Sequence, residues 1–385
     1  MSPAPDCLVM AKPAGPACNM RCGYCYYLRT AALFSPGPWR MSEELLRSYI
    51  VQRLQVSAGP ATHFEWHGGE PTLLGLDYFR TVVRIQKENC PPGRTITNGI
   101  QTNGLLLDEG WARFLGQEGF SVGLSIDGPE DLHDAFRVTA GGGATHANAA
   151  AAFRLLKERS VLSNVLCVLH ARNAAEPDRV YDFFRGLGVS WLQFLPLVAV
   201  APGGGVSPAT APAHAIGEFL CRVFDRWLRD DVGRIVIQAF DEALRPIYGA
   251  PHALCVHRET CGDVVVLEHD GGLYACDHFV DAEHLLGNLG EQALSDMTAD
   301  PRLRLFGEAK RDALPRFCRE CDVLSSCNGG CPKARISSTP DGEPGLSYLC
   351  PAYKQFFHHS RPGLASLAAH MKTGRSLRSF RFSLP

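Results

Sequence analysis

The sequence reads as an α/β protein: a partial (β/α)6 TIM-type barrel followed by a smaller cysteine-rich domain. Two observations predict this. Short β-like runs alternate six times with helical stretches in the first part of the chain, and eight of the fifteen cysteines fall after residue 250. Repeated β–α order implies a parallel sheet with helical crossovers. Six units make an incomplete barrel rather than an eightfold one.

Strands are expected over residues 8–11, 62–66, 96–102, 122–126, 163–169 and 191–197. Helical patterns lie between them, near 43–55, 78–88, 109–118, 148–158 and 178–187. Ser42 before Glu43 and Glu44 is a helix start by capping and favourable dipole charge, and Asp108 before Glu109 is another. The Pro/Gly/Ala-rich stretch 199–213 reads as a surface loop, with a helix following over about 216–228. Residues 264–267 and 273–275 form a hairpin around Asp270-Gly271. The division expected is a barrel over 1–240, a cysteine-rich domain over 241–371 and a basic, loosely ordered tail over 372–385.

Composition narrows the function. The 385 residues are 45% apolar and 20% charged, with a net charge of −2, so no basic field draws nucleic acid or an anionic membrane. The N-terminus lacks signal-peptide character and no apolar run is long enough to span a bilayer, which gives a cytoplasmic expectation. In a reducing compartment, clustered cysteines bind metal or do redox chemistry rather than form disulfides.

The first cluster is Cys18-Asn-Met-Arg-Cys22-Gly-Tyr-Cys25, just after the first strand. Three thiolates on one loop can hold three irons of a [4Fe–4S] cubane. The fourth iron is then open to the amino and carboxylate groups of S-adenosylmethionine (AdoMet), whose reductive cleavage gives a 5′-deoxyadenosyl radical. Structural zinc sites use four ligands and fit this spacing poorly. Parallel α/β sites gather beyond the C-terminal strand ends. His67-Gly68-Gly69-Glu70-Pro71, Gln101-Thr102-Asn103-Gly104 and Ser125-Ile126-Asp127-Gly128-Pro129 all fall there.

The cysteine loop, the Gly-Gly-Glu-Pro run and the six βα units together resemble the radical AdoMet superfamily. Over nearly the whole chain, the segments CNMRCGYCYY, WHGGEPTLLGLDYF, QTNGLLLDEGWARFL, VGLSIDGPEDLHDAFR and LQFLPLV resemble the anaerobic sulfatase-maturating enzymes. The resemblance implies that Tyr24, Gly69, Glu70, Ser125, Arg137 and Val198 contact AdoMet. His67 stands where some relatives have Gln, and is read as pocket lining.

Downstream, the resemblance is to the SPASM extension of such enzymes. It implies two further [4Fe–4S] clusters, three in all. One would be held by Cys255, Cys261, Cys276 and Cys331, the other by Cys318, Cys321, Cys327 and Cys350. Spacing alone leaves two four-cysteine zinc sites open. Of the remaining cysteines, Cys7, Cys167 and Cys221 read as small core hydrophobes and Cys90 as a loop residue without evident role.

The resemblance also makes Asp277 the general base. The activity implied is oxidation of a Cys or Ser in a sulfatase polypeptide to Cα-formylglycine, with electrons from a donor such as flavodoxin or ferredoxin. The alternative enzyme class is a SPASM-type modifier of ribosomal peptides, forming thioether or C–C bonds. The alternative outside enzymology is a zinc-stabilised peptide-binding protein.

Overall fold

The computed structural model describes residues 7–382 except 29, 36 and 38. The chain forms two compact units. The first takes residues up to 125, then 137–163 and 262–307; the second takes 126–136, 164–261 and 308 onward.

In the first unit, strands β1 (Leu8–Lys12), β2 (Ala61–Trp66), β3 (Thr95–Thr102) and β4 (Phe120–Ser125) are parallel neighbours in that order. The helices between them are Glu43–Val56, Leu76–Asn89 and Glu109–Gln117. Both expected helix starts are present. Ser42 accepts from the amide of Leu45, and Asp108 from the amide of Trp111. An aromatic core of Tyr49, Phe64, Trp66, Phe79, Trp111, Phe114 and Phe120 fills the space between helices and sheet. Burial on this scale, at roughly 25 cal/mol per Å² of apolar surface, holds the helical layer to the strands.

The expected hairpin forms, as β8 (Val264–Glu268) and β9 (Gly272–Tyr274), with β10 (Leu285–Asn288) beside β9. Its placement was not legible in the sequence. β8 pairs parallel to β1 along its whole length, so that Lys12 lies opposite Glu268. This pairing brings residues 264–288 to the edge of the first unit's sheet.

The second unit holds the parallel strands β5 (Ser163–Leu169), β6 (Trp191–Pro196) and β7 (Val236–Ile237). The helix expected over 216–228 runs Ala213–Asp230. It packs against the 23-residue helix Cys350–Lys372 through Phe224 and Phe356, and Phe240 of the helix Gln238–Tyr248 packs against Phe224, Trp227 and Phe356. The loop before it is a small closed turn, with Ala201 and Ser207 amides bonded to the carbonyls of Gly205 and Ala199. The tail departs from expectation: a short turn, Leu377–Ser379, follows the last helix, and Phe380 is buried. The sequence signal was misleading because the arginines sit between apolar anchors. Among the described residues, no helix is long and apolar enough to cross a membrane.

Candidate active site

The cysteine loop leaves the C-terminal end of β1 and is held from two sides. The amides of Gly69 and Glu70 donate to the carbonyls of Gly15 and Ala17, both at 2.8 Å, and the amide of Arg21 donates to Val138 at 2.8 Å. Gly69 is required here. A β-carbon at that position would sit 2.1 Å from the Ala17 carbonyl oxygen.

Glu70 is buried and fully used by the fold. Its carboxylate accepts from the Thr72 amide at 3.1 Å, the Thr72 hydroxyl at 2.5 Å, the Thr102 hydroxyl at 2.7 Å and the Asn103 amide at 2.8 Å. Burial pushes this carboxyl up, and those donors oppose the shift. The Gly-Gly-Glu run therefore ties the cysteine loop to the ends of β2 and β3.

Cys18, Cys22 and Cys25 lie close enough for their charges to act on one another. Burial, with Glu70 and the two neighbouring thiols adding to it, pushes the Cys18 thiol up to about 12, while the Met20 amide opposes. A thiol raised as Cys18 is favours its neutral form, and a coordinating metal deprotonates it outright. Three soft donors at the rim of a parallel sheet fit an iron–sulfur cluster. Among the described residues, no group of three or more His, Cys, Asp and Glu side chains closes to single-ion geometry.

Around this loop, Ser125 accepts a hydrogen bond from the Gln101 amide at 3.1 Å. The Arg137 guanidinium lies 5.6 Å from the centre of the Tyr24 ring. Asn103 donates to Asn19 at 2.7 Å. These polar groups share the first unit with the cysteines. Val198 lies in the second unit and is buried.

Asp277 follows β9 and Cys276, and it is the hub of a network the sequence did not reveal. Its carboxylate pairs with the Lys12 ammonium and accepts from the Tyr26 hydroxyl. Lys12 is wholly buried, lies 3.5 Å from the Glu268 carboxylate and stacks 3.9 Å from the centre of the Tyr27 ring. Tyr27 donates to Glu268 at 2.5 Å. Burial alone would push the Asp277 carboxyl up. The Lys12 ammonium, helped by His67 and His278, outweighs it and holds the group far below the usual carboxylate range. Glu268, with less compensation, is pushed up to about 7 by burial.

His67 accepts the Gly68 amide at Nδ1, 2.8 Å away, so its neutral form carries the proton on Nε2. Burial lowers its pKa, Asp277 raises it and Lys12 lowers it. The one available signal for Lys12 and Glu268 was chemical: each is a charged residue ending an otherwise apolar strand, LVMAK and VVVLE.

In the second unit, Cys318, Cys321, Cys327 and Cys350 come together. Burial raises Cys327 to about 12 and Cys350 to about 11, and charges from the other members of the set add to both. Cys255, Cys261 and Cys331 form another group, in which burial raises Cys261 to about 11 and its two companions contribute. Cys276, the fourth member of that proposed set, is half-buried in the first unit. A cleft of about 660 Å³ beside Gln52, Val56 and Glu291 contains none of these residues.

Residues 13–184 match the Radical SAM superfamily, and residues 255–322 match an iron-sulfur cluster-binding domain, SPASM. The chain is 39% identical to a serine-type anaerobic sulfatase-maturating enzyme of Bacteroides thetaiotaomicron, over 92% of this chain and 89% of that one. It is 32% identical to a cysteine-type anaerobic sulfatase-maturating enzyme of Clostridium perfringens, over 96% of this chain and all of that one. A solved structure, native anSMEcpe with bound AdoMet and Cp18Cys peptide, superposes with a TM-score of 0.84 at 32% identity, over 94% of this chain and 99% of that one.

Proposed function

The chain belongs to the anaerobic sulfatase-maturating enzymes of the radical SAM superfamily, and from that premise we propose that it oxidises a serine or cysteine of a sulfatase polypeptide to Cα-formylglycine. It is an oxidoreductase of the radical AdoMet type. In the proposed assignment Cys18, Cys22 and Cys25 hold the AdoMet-binding [4Fe–4S] cluster. In the first unit, Tyr24, Gly69, Ser125 and Arg137 line the AdoMet site, and Glu70 fixes the loop beside it. The other eight cysteines hold two auxiliary clusters. When bound, these groups would supply hydrogen-atom abstraction through the 5′-deoxyadenosyl radical and a sink for one electron.

The observation that carries the reading is Asp277, ion-paired with buried Lys12 in the same unit as the cysteine loop, a pairing that favours its ionised form. Oxidation of a serine side chain to an aldehyde removes two hydrogen nuclei and two electrons. One hydrogen leaves the β-carbon as an atom. The other leaves the hydroxyl as a proton, and the second electron leaves separately. Asp277 accepts that proton. A carboxylate with so low a pKa is a weak base, and it suffices because the hydroxyl becomes strongly acidic as the second electron leaves and the carbon takes on protonated-carbonyl character. For a cysteine substrate the same losses give a thioaldehyde, which water converts to formylglycine with release of hydrogen sulfide.

Higher identity to the serine-type relative than to the cysteine-type one, 39% against 32%, supports serine as the residue that reacts. A sulfatase segment as substrate and a flavodoxin- or ferredoxin-like reductant complete the proposal. It is tested by anaerobic incubation with AdoMet, reductant and matched Ser- and Cys-containing sulfatase peptides, read by mass. The serine peptide should lose two hydrogen atoms and react with an aldehyde-specific hydrazine. Cross-linked peptide without aldehyde would overturn the proposal in favour of peptide cross-linking chemistry.

A further inference from the structure

Two cations that the proposed oxidation does not use are built into the second unit beside its cysteines. Lys310 is almost wholly buried, and its ammonium donates to the carbonyls of Cys255 at 2.6 Å, Val256 at 3.1 Å and Arg258. It closes the loop that carries the first proposed ligand of one auxiliary set. Arg335 donates through Nε to the Gly329 carbonyl at 3.2 Å and through a terminal nitrogen to the Asn328 carbonyl at 3.3 Å.

Those two carbonyls belong to Cys327-Asn328-Gly329-Gly330-Cys331. In the assigned sets, this short run carries one ligand of each cluster. Its shape is tightly specified. Asn328, Gly329 and Gly330 all have positive φ, at 46°, 70° and 64°. A β-carbon on Gly329 would lie 2.3 Å from Leu314 and 2.8 Å from Arg335 itself. The Asn328 side chain donates to the His257 carbonyl at 2.7 Å, which ties the bridge to the loop that Lys310 closes.

The two cations differ in what they face. The thiols acting on Arg335 are Cys318 and Cys327 of one set and Cys261 and Cys331 of the other. Those acting on Lys310 are Cys261, Cys255 and Cys331, all of one set.

We propose that Arg335 is a positioning residue shared by both auxiliary sites, clamping the Cys327–Cys331 bridge and placing one positive charge between them, while Lys310 does the same for the Cys255 site alone. The proposal rests on the assignment of these cysteines to two clusters. Reduction of a cluster adds one negative charge. A nearby cation in a low-dielectric setting stabilises the reduced form and raises its potential.

The test uses the full-length chain carrying Cys18→Ala, Cys22→Ala and Cys25→Ala, so that only auxiliary clusters remain, reconstituted anaerobically and titrated electrochemically with EPR detection. Iron content is read first. About eight irons should be present, four per cubane. Their absence in this parent would refute the cluster assignment itself, and the proposal with it. With iron present, Arg335→Gln should shift both midpoint potentials to more negative values. Lys310→Met should shift one and leave the other in place. Arg335→Lys, which keeps the charge, should retain the iron and the parent potentials. Loss of iron in Arg335→Gln but not in Arg335→Lys supports the clamp equally. Unchanged potentials in an iron-replete Arg335→Gln protein, a shift of only one cluster, or identical behaviour of the Gln and Lys variants would overturn the proposal.

Discussion

Lys12, the wholly buried last residue of β1, forms an ion pair with the partly exposed Asp277, the third residue beyond β9. Burial opposes a carboxylate at this place, and the ammonium reverses the outcome. Lys12→Met should therefore raise the Asp277 pKa, since desolvation then acts against only the weaker opposition of His67, His278 and the Tyr26 hydroxyl. Aldehyde formation should fall at least about ten-fold at neutral pH and acquire an acidic limb, declining as pH falls through the new pKa. Lys12→Arg should keep more of the activity. The check is a pH–rate profile of aldehyde formation; a profile that merely scales down, without the new limb, would contradict this role.

Asp277→Asn keeps the shape and the Tyr26 contact but cannot take a proton. Loss of a positioned base costs roughly 10²–10⁴-fold. Product should fall by that factor while cleavage of AdoMet to 5′-deoxyadenosine continues. Tyr26→Phe removes one donor to the same carboxylate and should cost less, about several-fold. Both products can be followed in one chromatographic run, and parallel loss of the two in Asp277→Asn would point to misfolding or failed AdoMet binding.

Glu268 titrates against the usual direction. Its folded pKa is raised to about 7, above the ordinary 4.5. The folded state then binds more protons than the unfolded one in this window, so stability falls as pH rises from about 4.5 to about 7 and levels off above. Glu268→Gln removes that contribution. The melting temperature of the variant should decline less over this range than that of the parent; parallel curves would place the wild-type slope elsewhere.

Gly69→Ala places a methyl group against the Ala17 carbonyl. The cysteine loop must move, and in the proposed three-cluster assignment the cluster on this loop should be lost while the other two remain. Iron should then drop from about twelve to about eight per chain, with AdoMet cleavage abolished. Full iron and normal cleavage would show that the loop tolerates the shift.

These predictions separate what the sequence carries from what only the fold reveals. The βα rhythm is local: period-two and period-3.6 patterns mark β1 to β6 and their helices, and Ser42 and Asp108 announce two helix starts that form through their side chains. The cysteine-bearing segments are equally legible as motifs, and they fall within the Radical SAM and SPASM matches. The Lys12–Asp277–Glu268 network is not. It depends on β8 pairing with β1 across most of the chain, and no local period encodes that partnership. Glu70 shows the opposite limit. The motif is plain in sequence, but only the structure shows its carboxylate occupied by four internal donors.

In the proposed reaction a hydrogen atom leaves the β-carbon of the substrate residue for the 5′-deoxyadenosyl radical. That transfer is tested most directly with a sulfatase peptide whose target serine carries deuterium on the β-carbon. Under anaerobic turnover, 5′-deoxyadenosine should gain one deuterium for each aldehyde formed. Aldehyde accompanied by unlabelled 5′-deoxyadenosine, or labelled 5′-deoxyadenosine with no aldehyde, would contradict the account.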